Sequence, residues 1–151
     1  MTQAHRQTEH SALPSSAELH LVLRHPEDAL HLTGQQLSWL AMALCQDPRC
    51  SLQGVLEDIR SEAAQLWSFE TEAGETLMLV VTRILHHELC DTFEIQLCGG
   101  HRLRDCLKLL PELEAHARFL GCKLVELRGR PGWHRVLREY SLRGIALEKE
   151  L

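Results

Sequence analysis

Six cysteines and ten histidines are the side chains with the widest chemical reach in this 151-residue chain. Two pairs carry metal-ligand spacing, His87-x2-Cys90 and Cys98-x2-His101. A tetrahedral zinc site needs four converging donors, commonly anchored by a Cys-x2-Cys knuckle. The chain has no Cys-x2-Cys, and its two pairs would straddle a strand, so no metal is expected. Cys45, Cys50, Cys90, Cys98, Cys106 and Cys122 could instead form disulfides. The stretch Met1 to Ser16 is polar, with no apolar signal region, which argues for a reducing compartment. Cys98, Cys106 and Cys122 also sit among apolar residues, where a free thiol behaves as a small hydrophobe.

A second candidate is a run of arginines, Arg128, Arg130, Arg135, Arg138 and Arg143, near one end of the chain. Guanidinium groups suit phosphates or an acidic partner face. Here they also balance Glu114, Glu126 and Glu139. The chain as a whole is acidic, with 16 Lys and Arg against 21 Asp and Glu and a net charge of -5. That sum leaves no global footprint for nucleic acid or an anionic membrane. No apolar run approaches the roughly 20 residues that span a bilayer. With 44% hydrophobic and 25% charged residues, the composition is that of one ordinary domain.

The elements that must position these groups follow from periodicity. Residues 1–17 read as a polar arm and residues 18–151 as the domain. Glu18 to Arg24 alternates as a strand until His25-Pro26-Glu27-Asp28 breaks it. Leu37, Leu40, Ala41 and Leu44 recur at helical spacing over Gly34 to Cys45. Ser51 caps a second helix with Leu52, Val55, Leu56 and Ile59 on one face. Leu66 to Glu70 and Thr76 to Ile84 flank the hairpin signal Glu72-Ala73-Gly74. Asp91 to Leu97 is a strand with Phe93, Ile95 and Leu97 on one face, ended by Gly99-Gly100. Arg102 to Leu120 is helical, and Pro111 must kink or divide it. Gly121 caps it, Cys122 to Leu127 returns as a strand, and Trp133 to Tyr140 traces a short helix. Gly144 to Glu150 is a final strand. The order β-α-α-β-β-β-α-β-α-β implies one α/β domain, a mixed sheet with helices on both faces. The strands at either end of the 91–127 unit should be parallel neighbours.

That order resembles the GNAT acyltransferase fold. The resemblance is carried by the C-terminal half, through Gly99-Gly100, Ala117-Arg118-Phe119-Leu120-Gly121-Cys122, the segment Gly129 to Leu137 and the ending Leu147 to Leu151. These strings are similar to a branch encoded among the structural genes of tailed phages and prophages. The resemblance implies a cytoplasmic or virion location, contacts with other phage structural proteins or with further copies of the chain, and acetyl-CoA as the ligand of the fold. In the family, the pantetheine of acetyl-CoA threads between two splayed parallel strands, and the pyrophosphate sits on N–H groups at the following helix. By this resemblance Leu97, Cys98, Gly99, Gly100, His101, Arg102 and Arg104 are the cofactor-binding residues. The glycines come earlier than in the family loop, and the second half of its pattern is absent.

The resemblance also implies a proton donor and a base. The family tyrosine precedes a Gly-Phe pair by four residues, and Leu137 stands at that position. Tyr140 could replace it only if the local helix is displaced, because three helical residues turn it by nearly a full turn. Glu94, on the face opposite Phe93 and Ile95, is the carboxylate placed best for a base, with Glu126 a weaker one. Strand alternation alone makes Glu94 a solvent-facing residue. Two readings follow: a phage assembly protein on a degraded catalytic scaffold, or an active N-acetyltransferase.

Overall fold

The computed structural model describes residues 18–44, 47–129, 132–144 and 147–151. The proposed arm at residues 1–17, and Cys45, Arg130, Pro131 and Ile145, lie outside the described residues.

Strand β1 (Leu19–Leu23) leads through a 3-10 turn at Pro26–Leu30 into helices α1 (Gly34–Leu44) and α2 (Leu52–Arg60). Ser51 caps α2, its Oγ accepting the Gly54 N–H at 3.0 Å. Strands β2 (Gln65–Thr71), β3 (Thr76–His86) and β4 (Asp91–Gly100) follow as an antiparallel meander. Gly74, at φ +82°, turns the β2–β3 hairpin. The chain then crosses over through α3 (Leu103–Cys106), a 3-10 turn at Leu107–Leu109 and α4 (Leu110–Phe119) to β5 (Leu124–Leu127). The sheet runs in sequence order, β1 to β5, with only the β4–β5 pair parallel. Helix α5 (Trp133–Val136) follows β5.

Pro111 explains the division of the crossover helix. It sits in the first turn of α4, where its missing N–H costs no bond. The helix leaves through a Schellman turn. Gly121 adopts φ +83°, its N–H reaches the Arg118 carbonyl, and the Cys122 N–H reaches that of Ala117, both at 3.0 Å.

The two sheet faces bury separate cores. Leu40, Val55 and Ile59 of α1 and α2 pack on Leu66, Leu79, Val81 and Leu97. On the other face, Cys106, Leu113 and Ala117 of the crossover pack on Trp67, Phe69, Val80, Phe93 and Ile95. Trp67 anchors this second core and donates its indole N–H to Thr82 Oγ1 at 2.9 Å. Trp39 is only partly buried, at the margin of the first core.

The expected final strand from Gly144 to Glu150 is absent among the described residues, which show no regular structure at 141–144 and 147–151. The reason is burial. Leu142, Leu147 and Leu151 are all exposed, so the apolar alternation there meets no core, and β5 keeps an open edge. Gly99 and Gly100 also differ from expectation. The strand does not stop at Leu97 but takes in both glycines, which pair with Leu79 and Met78 before it ends at Gly100.

Packing dictates both glycines. A Cβ on Gly99 would lie 2.6 Å from the Trp39 carbonyl oxygen, and one on Gly100 only 2.4 Å from that of Leu77. Gly100 also holds φ +146°. Gly121 meets nothing within 4 Å and needs glycine only for its conformation. We expect Gly100→Ala to lower unfolding stability by about 2–4 kcal/mol, and Gly121→Ala by about 1 kcal/mol. Urea midpoints of the two variants measure the difference, and equal losses would refute the packing account.

Candidate functional site

One inserted residue builds the site. Strands β4 and β5 pair from Thr92 and Leu124 to Ile95 and Leu127. In β4 the register against β3 then slips, with Val81 opposite Leu97 and Thr82 opposite Ile95, leaving Gln96 as the extra residue. Such a bulge bends the strand and re-aims the side chains beyond it. Phe93 and Ile95 stay in the α4 core, whereas Leu97 crosses to the α1–α2 core. The expectation that all three share a face is therefore corrected, and the bulge is the cause. Past it, β4 runs on to Gly100 with no strand on its β5 side among the described residues. The two parallel strands part there, because β5 ends at Leu127 and pairs with β4 no further.

An apolar pocket opens at this splay, on the α3–α4 face. Ile95 and Cys98 of β4, Leu127 of β5, Trp133, Leu137 and Tyr140 line it together with Phe69, Met78 and Val80 of β2 and β3, and its exposed wall is apolar throughout. The Trp133 indole lies over Gly129, where a Cβ would come within 2.6 Å of the ring. The two thiols here are poor nucleophiles. Burial pushes Cys98 up to about 12 and Cys106 to about 11, so both stay protonated near neutrality. The Cys98 thiol faces Met78 Sδ at 3.3 Å.

Tyr140 is the one tyrosine of the chain. Helix α5 ends at Val136, earlier than periodicity suggested, and a turn carries the Tyr140 N–H to the Leu137 carbonyl at 3.0 Å. Leu137 and Tyr140 line the same pocket. The Tyr140 hydroxyl is buried and has no hydrogen-bond partner among the described residues. Burial, reinforced by Glu114 and Glu139, pushes the phenol up to about 12. It remains a proton donor throughout the physiological range.

Glu94 lies on the opposite face of the sheet. Its side chain is only 1% exposed, so the solvent-facing expectation is corrected. Arg83, its register partner on β3, donates Nε–H to Glu94 Oε2. Arg128 approaches Oε1 with Nε at 3.5 Å and also binds Glu126 at 3.0 Å. Alternation places a glutamate here, but the long side chains of neighbouring strands close over it. Glu94 and Tyr140 therefore flank the splay from opposite faces and do not meet. Gln96 turns its amide toward Cys50, with Nε2 at 3.9 Å from Sγ.

The remaining sequence candidates gather at the start of α3. His101 packs edge-on against Trp39, with ring centroids 5.2 Å apart, and its N–H bonds the Leu77 carbonyl at 2.7 Å. Arg102 adopts φ +56° and holds Asp105 at 2.8 Å, keeping that carboxyl below its usual range. Arg104 is exposed. Because Gly100 is packed on Leu77 and Met78, a bulky residue there breaks the fold before it reports on ligand binding. Among the described residues, no three His, Cys, Asp or Glu side chains are grouped to hold a metal.

No family model matches the sequence. No curated protein matches it either. The fold, however, has close company among solved structures. An aminoglycoside acetyltransferase from an uncultured soil metagenomic sample superposes with TM-score 0.64 and 13% identity, over 89% of this chain and 97% of that one. A GNAT family acetyltransferase of Staphylococcus aureus gives 0.61 and 15%, over 88% and 98%. A glucosamine-6-phosphate N-acetyltransferase of Arabidopsis thaliana gives 0.61 and 18%, again over 88% and 98%. A single mixed five-stranded sheet covered by helices on both faces gives this chain the fold of the GNAT acetyltransferases.

Two measurements check this geometry. Tyrosinate absorbance should titrate with a midpoint near 12 in the native protein and near 10 in denaturant. The folded value is the higher one, so the buried phenol's stabilisation is complete below pH 10 and lost as pH rises toward 12. A native midpoint at 10 would mean the hydroxyl is solvated. Glu94→Gln should cost about 2–3 kcal/mol in denaturant unfolding, less than a wholly buried pair, because both arginines reach solvent. Arg128→Ala, at a half-exposed partner, should cost about 1 kcal/mol or less.

Proposed function

We propose that this chain is an N-acyltransferase that takes its acyl group from an acyl-CoA thioester, acetyl-CoA being the donor its fold implies. The observation that carries this reading is Tyr140, which lines the apolar pocket beside the end of β5 and whose buried, protonated hydroxyl has no hydrogen-bond partner among the described residues. An apolar pocket with a single hydrogen-bond donor suits a thioester whose sulfur must leave as a thiol. The thioester supplies the activated carbonyl. An amine nitrogen forms the amide bond as the C–S bond breaks. Tyr140 delivers its proton to the departing sulfur, and the proton released by the amine restores the phenol through solvent. The open backbone edge from Leu97 to Gly100 offers unpaired groups for the thioester arm. Of the two exposed arginines at the start of α3, Arg102 is engaged with Asp105, which leaves Arg104 for the phosphates.

In this reading Glu94 is not the base. Arginines occupy both of its oxygens, so it is a positioning residue that ties β3, β4 and β5 together next to the splay. A second reading, resting on the resemblance to phage-encoded proteins of this fold, has the scaffold act without catalysis through protein contacts in a phage particle.

A thermal-shift titration with acetyl-CoA and with free CoA separates the two. Ligand at about 100 times its dissociation constant adds roughly 2.7 kcal/mol, a rise of several degrees in Tm. A saturable rise with both supports the transferase. No rise at millimolar ligand rejects it and leaves the assembly reading. Tyr140→Phe should then lower kcat by about 10- to 1000-fold with KM nearly unchanged, since a proton donor acts in the transition state.

A further inference from the structure

We infer that Cys90 and Cys122 form a reversible disulfide that ties the start of β4 to the start of β5. The inference is independent of the acyl-CoA reading. It begins from strand register. β4 and β5 pair in parallel from Thr92 opposite Leu124. One step earlier the Lys123 N–H reaches the Asp91 carbonyl at 3.0 Å, so the two chains are still neighbours there. Cys90 and Cys122 each stand one residue before that bond. Neighbouring strands lie about 4.8 Å apart, and disulfides span Cα separations of about 4.4–6.8 Å. The register therefore puts the two cysteines, both free thiols in the structure, within bridging reach.

The chain on either side holds them there. Cys90 closes the β3–β4 turn. Its carbonyl accepts the His87 N–H at 3.1 Å, and His86 Nδ1 meets Asp91 Oδ1 across the turn at 2.8 Å. Cys122 leaves the Schellman turn of α4 with its N–H on the Ala117 carbonyl. Two tight turns thus deliver one thiol each to the same end of the parallel pair, the end away from where the strands part. The side chains also sense each other. Burial, then the Asp91 carboxylate and Cys90, hold the Cys122 thiol above its ordinary value. Other described cysteines are placed differently. Cys50 lies beside Gln96 on the α1–α2 face. Cys98 and Cys106 line one pocket, but burial keeps both protonated and therefore unreactive.

Exposure sets the order of events, since Cys90 is partly exposed and Cys122 is buried. A small disulfide such as oxidised glutathione is the oxidant. The Cys90 thiolate attacks one of its sulfurs, forming a mixed disulfide and releasing one glutathione thiolate. The Cys122 thiol then gives up its proton and displaces the second glutathione, forming the Cys90–Cys122 bond. Two protein thiols and one glutathione disulfide become one protein disulfide and two glutathione thiols. The bond closes a loop around the whole crossover and so restricts the unfolded chain.

Incubating the folded full chain with oxidised glutathione tests this. We expect a single chain lower in mass by two hydrogens, with two of its six thiols lost and peptide mapping that joins Cys90 to Cys122. Its Tm should stand several degrees above that of the reduced chain, and dithiothreitol should restore both thiols and the lower Tm. Cys90→Ser, at a partly exposed position, should leave the reduced Tm unchanged and abolish the rise. A bond between other cysteines, a glutathione adduct that stays on Cys90, or six thiols still free would each overturn the inference.

Discussion

The single extra residue in β4 organises more of this molecule than any other feature. Before Gln96, β4 is an interior strand bonded on both edges. After it, the strand twists away, Leu97 changes core, and the β5 side of the strand is left open. A bulge costs one unpaired residue and a local break in the ladder. Here the break falls just beyond the last residue of β4 that pairs with β5, Ile95 opposite Leu127. The pocket, the approach to Tyr140 and the two opposed faces of the site all descend from it.

Neighbouring contacts keep the splay from closing or spreading. Gly99 lets α1 lie directly on β4 at Trp39, and Gly100 lets the strand end press on Leu77 and Met78. These close approaches fix one side of the gap. The other side is tied down by Arg128, which reaches from beyond β5 to Glu94 and Glu126. The Arg83–Glu94–Arg128 row spans three strands on the face away from the pocket. Two guanidinium groups on one buried carboxylate satisfy its charge, so the row can be buried. The glutamate that alternation suggests as a base is therefore used to hold the strands in register.

On the pocket face the chemistry is different in kind. Its walls are apolar, its thiols are protonated, and its lone hydroxyl lacks a partner. An unpaired buried hydroxyl is costly, and such groups persist where they serve a ligand or a reaction. The two faces thus differ: an arginine–glutamate row on the α1–α2 side, and an apolar pocket on the α3–α4 side.

Much of the architecture was legible from residue order. Helix α1 from Leu37, Leu40 and Leu44, the Ser51 cap, the hairpin at Gly74, the break at Pro111 and the Gly121 stop all follow from local rules of period, capping and φ. Those rules act within a few residues, so the sequence alone determines them, and with them the crossover that makes β4 and β5 parallel. The tertiary structure alone decided the rest. A period of two cannot announce a bulge, so the face of Leu97 was decided by β3 register. Alternation cannot tell water from a neighbouring arginine, so the burial of Glu94 was decided by Arg83 and Arg128. The pattern at 144–150 offers an apolar alternation, but a strand forms only where a core receives it, and Leu147 remains 94% exposed. The burial of the Tyr140 hydroxyl without a partner among the described residues was decided by tertiary packing, which no local rule of period or capping announces.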